Sequence, residues 1–181
     1  PARQPELSAY AASKRAGEDA LAAIPGLAWD AVRPPAVYGP GDQQVLVFAR
    51  LVKHGIGLLP AGDRARVSLI HVDDLVSAME AWLNGPEPVG AVYELGDGRR
   101  GGYAWRTIID AAARELTVHP WYIRPPAAAL KVLTYLVHGG ARLLGRVAFL
   151  SPDKLRELRH DDWVCRDDRF RGRTGWRPRV P

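Results

Sequence analysis

A single cysteine, Cys165, stands among 181 residues, which excludes an internal disulfide framework and leaves a reducing cytoplasm as the default expectation. Lysine is scarce too: Lys14, Lys53, Lys131 and Lys154 are four of 25 basic side chains, and the rest are arginine. Unbroken apolar runs are missing. The most apolar stretch, residues 126–146, is interrupted by Lys131, His138, Gly139, Gly140 and Arg142. Crossing a bilayer takes about twenty uninterrupted apolar residues, so no transmembrane segment is expected. A buried or lid-like helix is the plainer reading of this stretch, and a helix lying on a membrane surface, a peripheral contact, is the sharper one. No signal-peptide core precedes Tyr10. A phosphate-binding glycine turn is also lacking. The letters G-x-G-x-x-G occur once, at Gly96-Asp97-Gly98-Arg99-Arg100-Gly101, without the acidic ribose partner expected about twenty residues further on, and are rejected as a cofactor loop.

What is present describes a folded chain. Apolar residues make up 47% and charged residues 25%, enough for one compact domain with a core or for a piece of something larger. The net charge of +5 does not point to nucleic acid. Residues 153–181 hold nine basic and six acidic side chains, with Arg166, Arg169, Arg171 and Arg173 interleaved among Asp161, Asp162, Asp167 and Asp168. An arm that neutralises phosphates does not carry its own counter-charges, so a solvated tail is expected and no nucleic-acid partner. The five histidines are scattered without a second ligand at metal-binding spacing, so no metal site is expected.

Along the chain, residues 7–24 read as a helix of good formers, stopped by Pro25-Gly26. Ser8 suits its N-cap, and Ser13 reads as a packing residue. Leu27–Val32 reads as a strand, and Arg33–Gly41 as a loop rich in proline and glycine. A helix over 44–54, turns over 55–63 and a strand over 67–72 follow. Asp73-Asp74 opens the next helix, with an aspartate accepting a backbone amide, and His71 reads as a satisfied core histidine. A strand at 91–95, a helix over 103–116, a strand at 118–123, the apolar stretch and a short helix capped at Ser151 complete the pattern, before an irregular tail punctuated by Trp163 and Trp176. Alternating strands and helices indicate an α/β architecture with parallel pairing.

Tyr10 and Lys14 stand four residues apart and share a helix face. A phenol is a poor base at neutral pH, but a nearby ammonium stabilises the phenolate and makes proton exchange with an alcohol or carbonyl feasible. Spacing alone is weak, because such pairs are common on solvated helices. Order adds what spacing lacks. Tyr10-Ala11-Ala12-Ser13-Lys14, then Arg33-Pro34-Pro35-Ala36-Val37-Tyr38-Gly39-Pro40-Gly41, then Ile70-His71-Val72-Asp73-Asp74-Leu75 follow one another at suitable intervals. Together they resemble the extended short-chain dehydrogenase/reductase family, which includes the NAD-dependent epimerases and dehydratases.

The resemblance implies that Tyr10 is the catalytic acid/base and that Lys14 holds the nicotinamide ribose. It places Pro35 and Val37 near the cofactor, NAD or NADP. The implied fold is the C-terminal part of a Rossmann-like, doubly wound parallel sheet, with a small mixed substrate-binding subdomain. Residues 1–43 would belong to the dinucleotide-binding part and 44–181 mainly to the substrate region, with 67–82 packing back on the sheet. The family's glycine turn and catalytic Ser or Thr lie upstream of its tyrosine, so the chain is expected to be a C-terminal portion that is inert alone.

Members acting on nucleotide sugars tend to carry Asn three residues after the loop arginine, and Arg-Asp before the segment holding the histidine. Those slots are Ala36 and Val67-Ser68 here, and Arg66 lies one position off. Both departures favour hydride transfer at a secondary alcohol or ketone of an apolar small-molecule substrate. A nucleotide-sugar epimerase or dehydratase, and a non-catalytic nucleotide-binding or assembly protein of the same fold, are the alternatives. Small residues at Ala11, Ala12, Ala16 and Ala20 permit close approach of a second helix and suit a homodimer.

Overall fold

The computed structural model describes residues 8–42, 44–143 and 151–180. The last residues of the apolar stretch, 144–146, lie outside them. The first helix, α1, covers Ala9–Ala22, and Ser8 caps it as expected: its Oγ accepts the Ala11 amide at 3.1 Å. The same hydroxyl donates to Glu157 Oε1 at 2.7 Å, fastening the start of α1 to the C-terminal part of the chain. After the helix the backbone is still turning at Leu27, whose amide bonds back to the Ile24 carbonyl. The first strand, β1, therefore begins only at Asp30 and runs to Arg33.

The expected loop over 33–41 contains a strand, β2, at Ala36–Tyr38. Pro34 and Pro35 lack backbone donors, but they stop short of β2, and residues 36–38 keep the amides needed for pairing. Gly39 follows at φ +142, where a Cβ would sit 2.7 Å from Val72 Cγ1. Only glycine lets the chain leave β2 this close to the next helix but one. Helix α2 spans Gln44–Lys53. The turn-rich stretch after it holds β3, Ile56–Leu58, too short to show alternation in the sequence.

The strand expected over 67–72 is two strands, β4 (Arg66–Val67) and β5 (Leu69–His71), in different sheets. Ser68 lies between them, buried, with its Oγ accepting the Cys165 amide at 3.0 Å, so a side chain supplies the bond where the ladder breaks. Helix α3 covers Val72–Leu83 and strand β6 Ala91–Glu94. Tyr103 and Ala104 form β7, which shortens the expected helix to α4, Trp105–Glu115. Strand β8 is Trp121–Ile123, helix α5 Ala127–Leu143, and helix α6 Pro152–Leu158 with Ser151 as its cap. The tail expected to be irregular is ordered into β9, Asp162–Trp163, and α7, Asp168–Thr174, because its aromatic residues enter the core.

Pairing is parallel in β1–β6, β2–β5 and β3–β8, with Asp30 opposite Ala91, Ala36 opposite Leu69 and Ile56 opposite Trp121. A mixed sheet of order β7-β4-β9 completes the set. One core cluster joins Ile70, Ala78, Tyr93, Leu95, Phe170 and Trp176, with Val32 and Val37 packed against it. A second gathers Val52, Leu59, Ile109 and Ala113, with Tyr122 against it.

Asp74 departs from its expected role. It lies in the first turn of α3, but the cap is His71, whose Nδ1 accepts the Asp73 amide at 3.3 Å. The Asp74 carboxylate, only 2% exposed, accepts the backbone amides of Arg179 and Val180 at 2.8 and 3.0 Å. It holds the returning tail.

Candidate active site

Tyr10, Lys14 and Glu18 follow one another at four-residue spacing on α1 and so share one face. Lys14 Nζ lies 5.5 Å from the centroid of the Tyr10 ring, inside cation–π range. Tyr10 is 66% exposed, so its hydroxyl is open to a ligand. Glu18 ties this face to the sheet. Arg33 Nε donates to Glu18 Oε1 at 2.8 Å and Arg33 Nη2 to Oε2, a two-pronged pair at the last residue of β1, immediately before Pro34-Pro35. Such a fork fixes orientation as well as distance. Sequence reading missed Glu18, although the Tyr10–Lys14 spacing continued once more would have reached it.

The Arg33 hydrogen bond, reinforced by its charge and opposed by burial, holds the Glu18 carboxyl below the usual glutamate range. A carboxyl depressed in the folded state contributes stability above its unfolded pKa, and that contribution is lost as pH falls through the folded value. Glu18→Gln is therefore expected to cost about 1 kcal/mol at pH 7, a modest figure because the pair is partly solvated. The difference from the unsubstituted chain should close below about pH 4. Denaturant melts at several pH values check this, and a gap that persists in acid contradicts it.

The other expected residues are placed as follows. Ser13 is exposed, and its Oγ donates to the Tyr10 carbonyl at 2.8 Å; this corrects the expectation that it packs. A serine on a solvated face satisfies its hydroxyl on the preceding turn. Pro35 is half-buried between β1 and β2. Val37 packs its side chain on the Ile70 cluster and pairs with Ile70 in the β2–β5 ladder. His71 also meets the Tyr38 ring edge-on at 5.2 Å.

Three other phenols and the thiol are held in their neutral forms. Burial is the main cause raising the Tyr38 phenol above its usual value. Burial, then a hydrogen bond to Asp97, pushes Tyr103 up to about 12, and a hydrogen bond to Asp110 is the first cause raising Tyr122. Burial likewise pushes the Cys165 thiol up to about 12, so it is neutral and a poor nucleophile. Among the described residues, no group of three or more His, Cys, Asp or Glu could hold a metal ion.

Residues 2–96 match the model of the NAD dependent epimerase/dehydratase family. The chain belongs to this family. It is 40% identical over 163 residues to "Ceramide reductase" from Caulobacter vibrioides (strain NA1000 / CB15N), covering 90% of this chain and 50% of that protein. It thus spans about half the length of that curated relative. Among solved structures, DesIV, a dTDP-glucose 4,6-dehydratase from Streptomyces venezuelae with NAD bound, aligns with a TM-score of 0.67 at 18% identity. That alignment covers 98% of this chain and 48% of the dehydratase. RMD from Pseudomonas aeruginosa, complexed with NADPH, aligns with a TM-score of 0.61 at 21% identity, over 95% of this chain and 51% of its own. At these identities the likeness shows the fold, which is the Rossmann-like α/β fold of the epimerase/dehydratase family. Among the described residues no helix is long and apolar enough to cross a membrane.

Proposed function

We propose that the whole protein is an NAD(P)-dependent oxidoreductase acting at a secondary alcohol or ketone of an apolar, non-nucleotide substrate. The observation that carries this reading is the exposed Tyr10 side chain with the Lys14 ammonium over its ring, on a helix keyed to β1 by Glu18 and Arg33. This donor set fits a nicotinamide cofactor, since an ammonium can hydrogen-bond ribose hydroxyls while a phenol reaches the substrate oxygen. Bound NAD(P) would supply or take up the hydride. Tyr10 would give a proton to the substrate oxygen in reduction and take it back in oxidation, with the Lys14 charge beside its ring. The backbone at Pro35 and Val37 would line the nicotinamide end. Residues 1–43 would serve the cofactor and 44–181 mainly the substrate. Homodimerisation through α1 belongs to the same reading, supported by a helix with no buried residue and by its exposed Ala16 and Ala20.

The apolar substrate rests on residues that a nucleotide would need and does not find. Ala36 offers no polar group. Val67 is 7% exposed and paired with Tyr103 and Trp163, so it belongs to the interior. Arg66 spends one guanidinium nitrogen on the carbonyls of Asp63 and Ala65, at 2.7 and 2.9 Å. The relative named as a ceramide reductase points the same way. The test is turnover by the whole protein, with NADH or NADPH, of long-chain ketones set against UDP- and dTDP-sugars. Reduction of the ketones alone is expected. Conversion of the sugars in place of the ketones overturns the substrate reading.

A further inference from the structure

Helix α5 rests on α6 along one edge, where Leu130 and Thr134 are buried. Away from that edge the helix is apolar and open: Val132, Leu133, Tyr135 and Leu136 are 51 to 68% exposed. The helical period points Val132, Tyr135 and Leu136 away from Leu130 and Thr134, with Lys131 and Leu133 at the two borders of the arc. The strand that leads to the helix is also open on one face. Tyr122 of β8 faces the Val52 cluster, so Trp121 and Ile123 share the other face, and Trp121 is 83% exposed. Exposed apolar side chains gathered on one helix face mark a docking surface.

Charge indicates which partner. None of the chain's 20 carboxylates falls between Glu115 and Asp153, whereas Arg124, Lys131, Arg142 and Arg146 do. Arg124 is engaged by Asp63, and Lys131 is exposed on a helix with no acidic residue. An apolar arc bordered by a lysine, on a helix that carries no acid, is complementary to a lipid surface bearing negative headgroups. At 17 residues α5 is about 25 Å long. It suits lying in the headgroup layer.

We propose that α5, with Trp121 and Ile123, docks the protein on the surface of an anionic lipid bilayer. The proposal does not depend on the substrate reading: vesicle binding tests the surface and turnover tests the chemistry, and either can fail alone.

The whole protein is sedimented with vesicles of phosphatidylcholine and with vesicles of phosphatidylcholine and phosphatidylglycerol at 7:3. Expected results are binding to the mixed vesicles, weaker binding to phosphatidylcholine alone, and loss of the difference in high salt. Leu133→Asp with Leu136→Asp should reduce binding at least tenfold. Both positions are exposed, so the variant keeps its core, and unchanged circular dichroism verifies this. A second readout needs no variant on the helix: brominated lipid should quench the chain's fluorescence, and Trp121→Phe should remove most of that quenching. No sedimentation with the mixed vesicles, or binding indifferent to the paired substitution, overturns the proposal. So does a chain that stays off vesicles and forms a dimer that the paired substitution dissociates, since the surface would then be covered by a second copy.

Discussion

Replacing Tyr10 with Phe in the whole protein should lower kcat by about 10²- to 10⁴-fold, the range typical of a lost general acid or base. The dissociation constant for NAD(P) should stay nearly unchanged. The substitution removes one oxygen and leaves the ring, so the contact with Lys14 Nζ at 5.5 Å survives. Little packing is at risk, because Tyr10 is 66% exposed and α1 carries no buried residue. Loss confined to kcat identifies an interaction made in the transition state, whereas a parallel loss of cofactor affinity would identify a binding group. Lys14→Met supplies the contrast. It should weaken cofactor affinity and kcat together, because the proposed ribose contact and the charge beside the phenol would both be lost. If Tyr10→Phe turns over at the normal rate, the acid/base assignment fails.

Phe170→Ala should destabilise the chain by about 3–5 kcal/mol, the usual cost of hollowing a core at a phenylalanine. Phe170 is fully buried, with the Tyr93 ring edge-on at 6.0 Å and the Trp176 ring at 5.8 Å. The cavity would also loosen what Trp176 holds. Its indole Nε1 donates to Ser77 Oγ at 2.9 Å, and a few residues later the chain delivers two amides to the buried Asp74 carboxylate. Domains are commonly stable by about 5–15 kcal/mol, so this one change removes a large share. Urea unfolding followed by tryptophan fluorescence measures it. A loss below about 1 kcal/mol would mean that the tail is not part of the cooperative core.

The residues that announced themselves in the sequence acted locally. A run of good helix formers behind Ser8 produced α1, and the spacing of Tyr10 and Lys14 became a real contact because a helix repeats every 3.6 residues. Ser151-Pro152 marked α6 for the same reason. What stayed hidden depends on distant partners. Strand β2 exists because Leu69–His71 lies alongside it, and three residues after two prolines carry too little alternation to show it. The break at Ser68 needs the Cys165 amide, 97 residues away, to make sense. Asp73 and Asp74 look alike as neighbours, but consecutive helical positions point in different directions, so Asp73 lies exposed while Asp74 meets the tail. The arginines and aspartates of that tail masked Phe170 and Trp176, whose burial brings the segment into the core. Glu18 was hidden for a different reason. A glutamate on a solvated helix reads as ordinary surface until Arg33 is found opposite it.

Whether Tyr10 and Lys14 sit at a centre of hydride transfer is decided most directly by isotope. The whole protein, given NADH or NADPH carrying deuterium at the transferred position together with a long-chain ketone, should yield an alcohol with one deuterium on the carbinol carbon. The Tyr10→Phe protein should bind the cofactor and form almost none. An alcohol lacking that deuterium, or equal labelling by the Tyr10→Phe protein, would contradict this account.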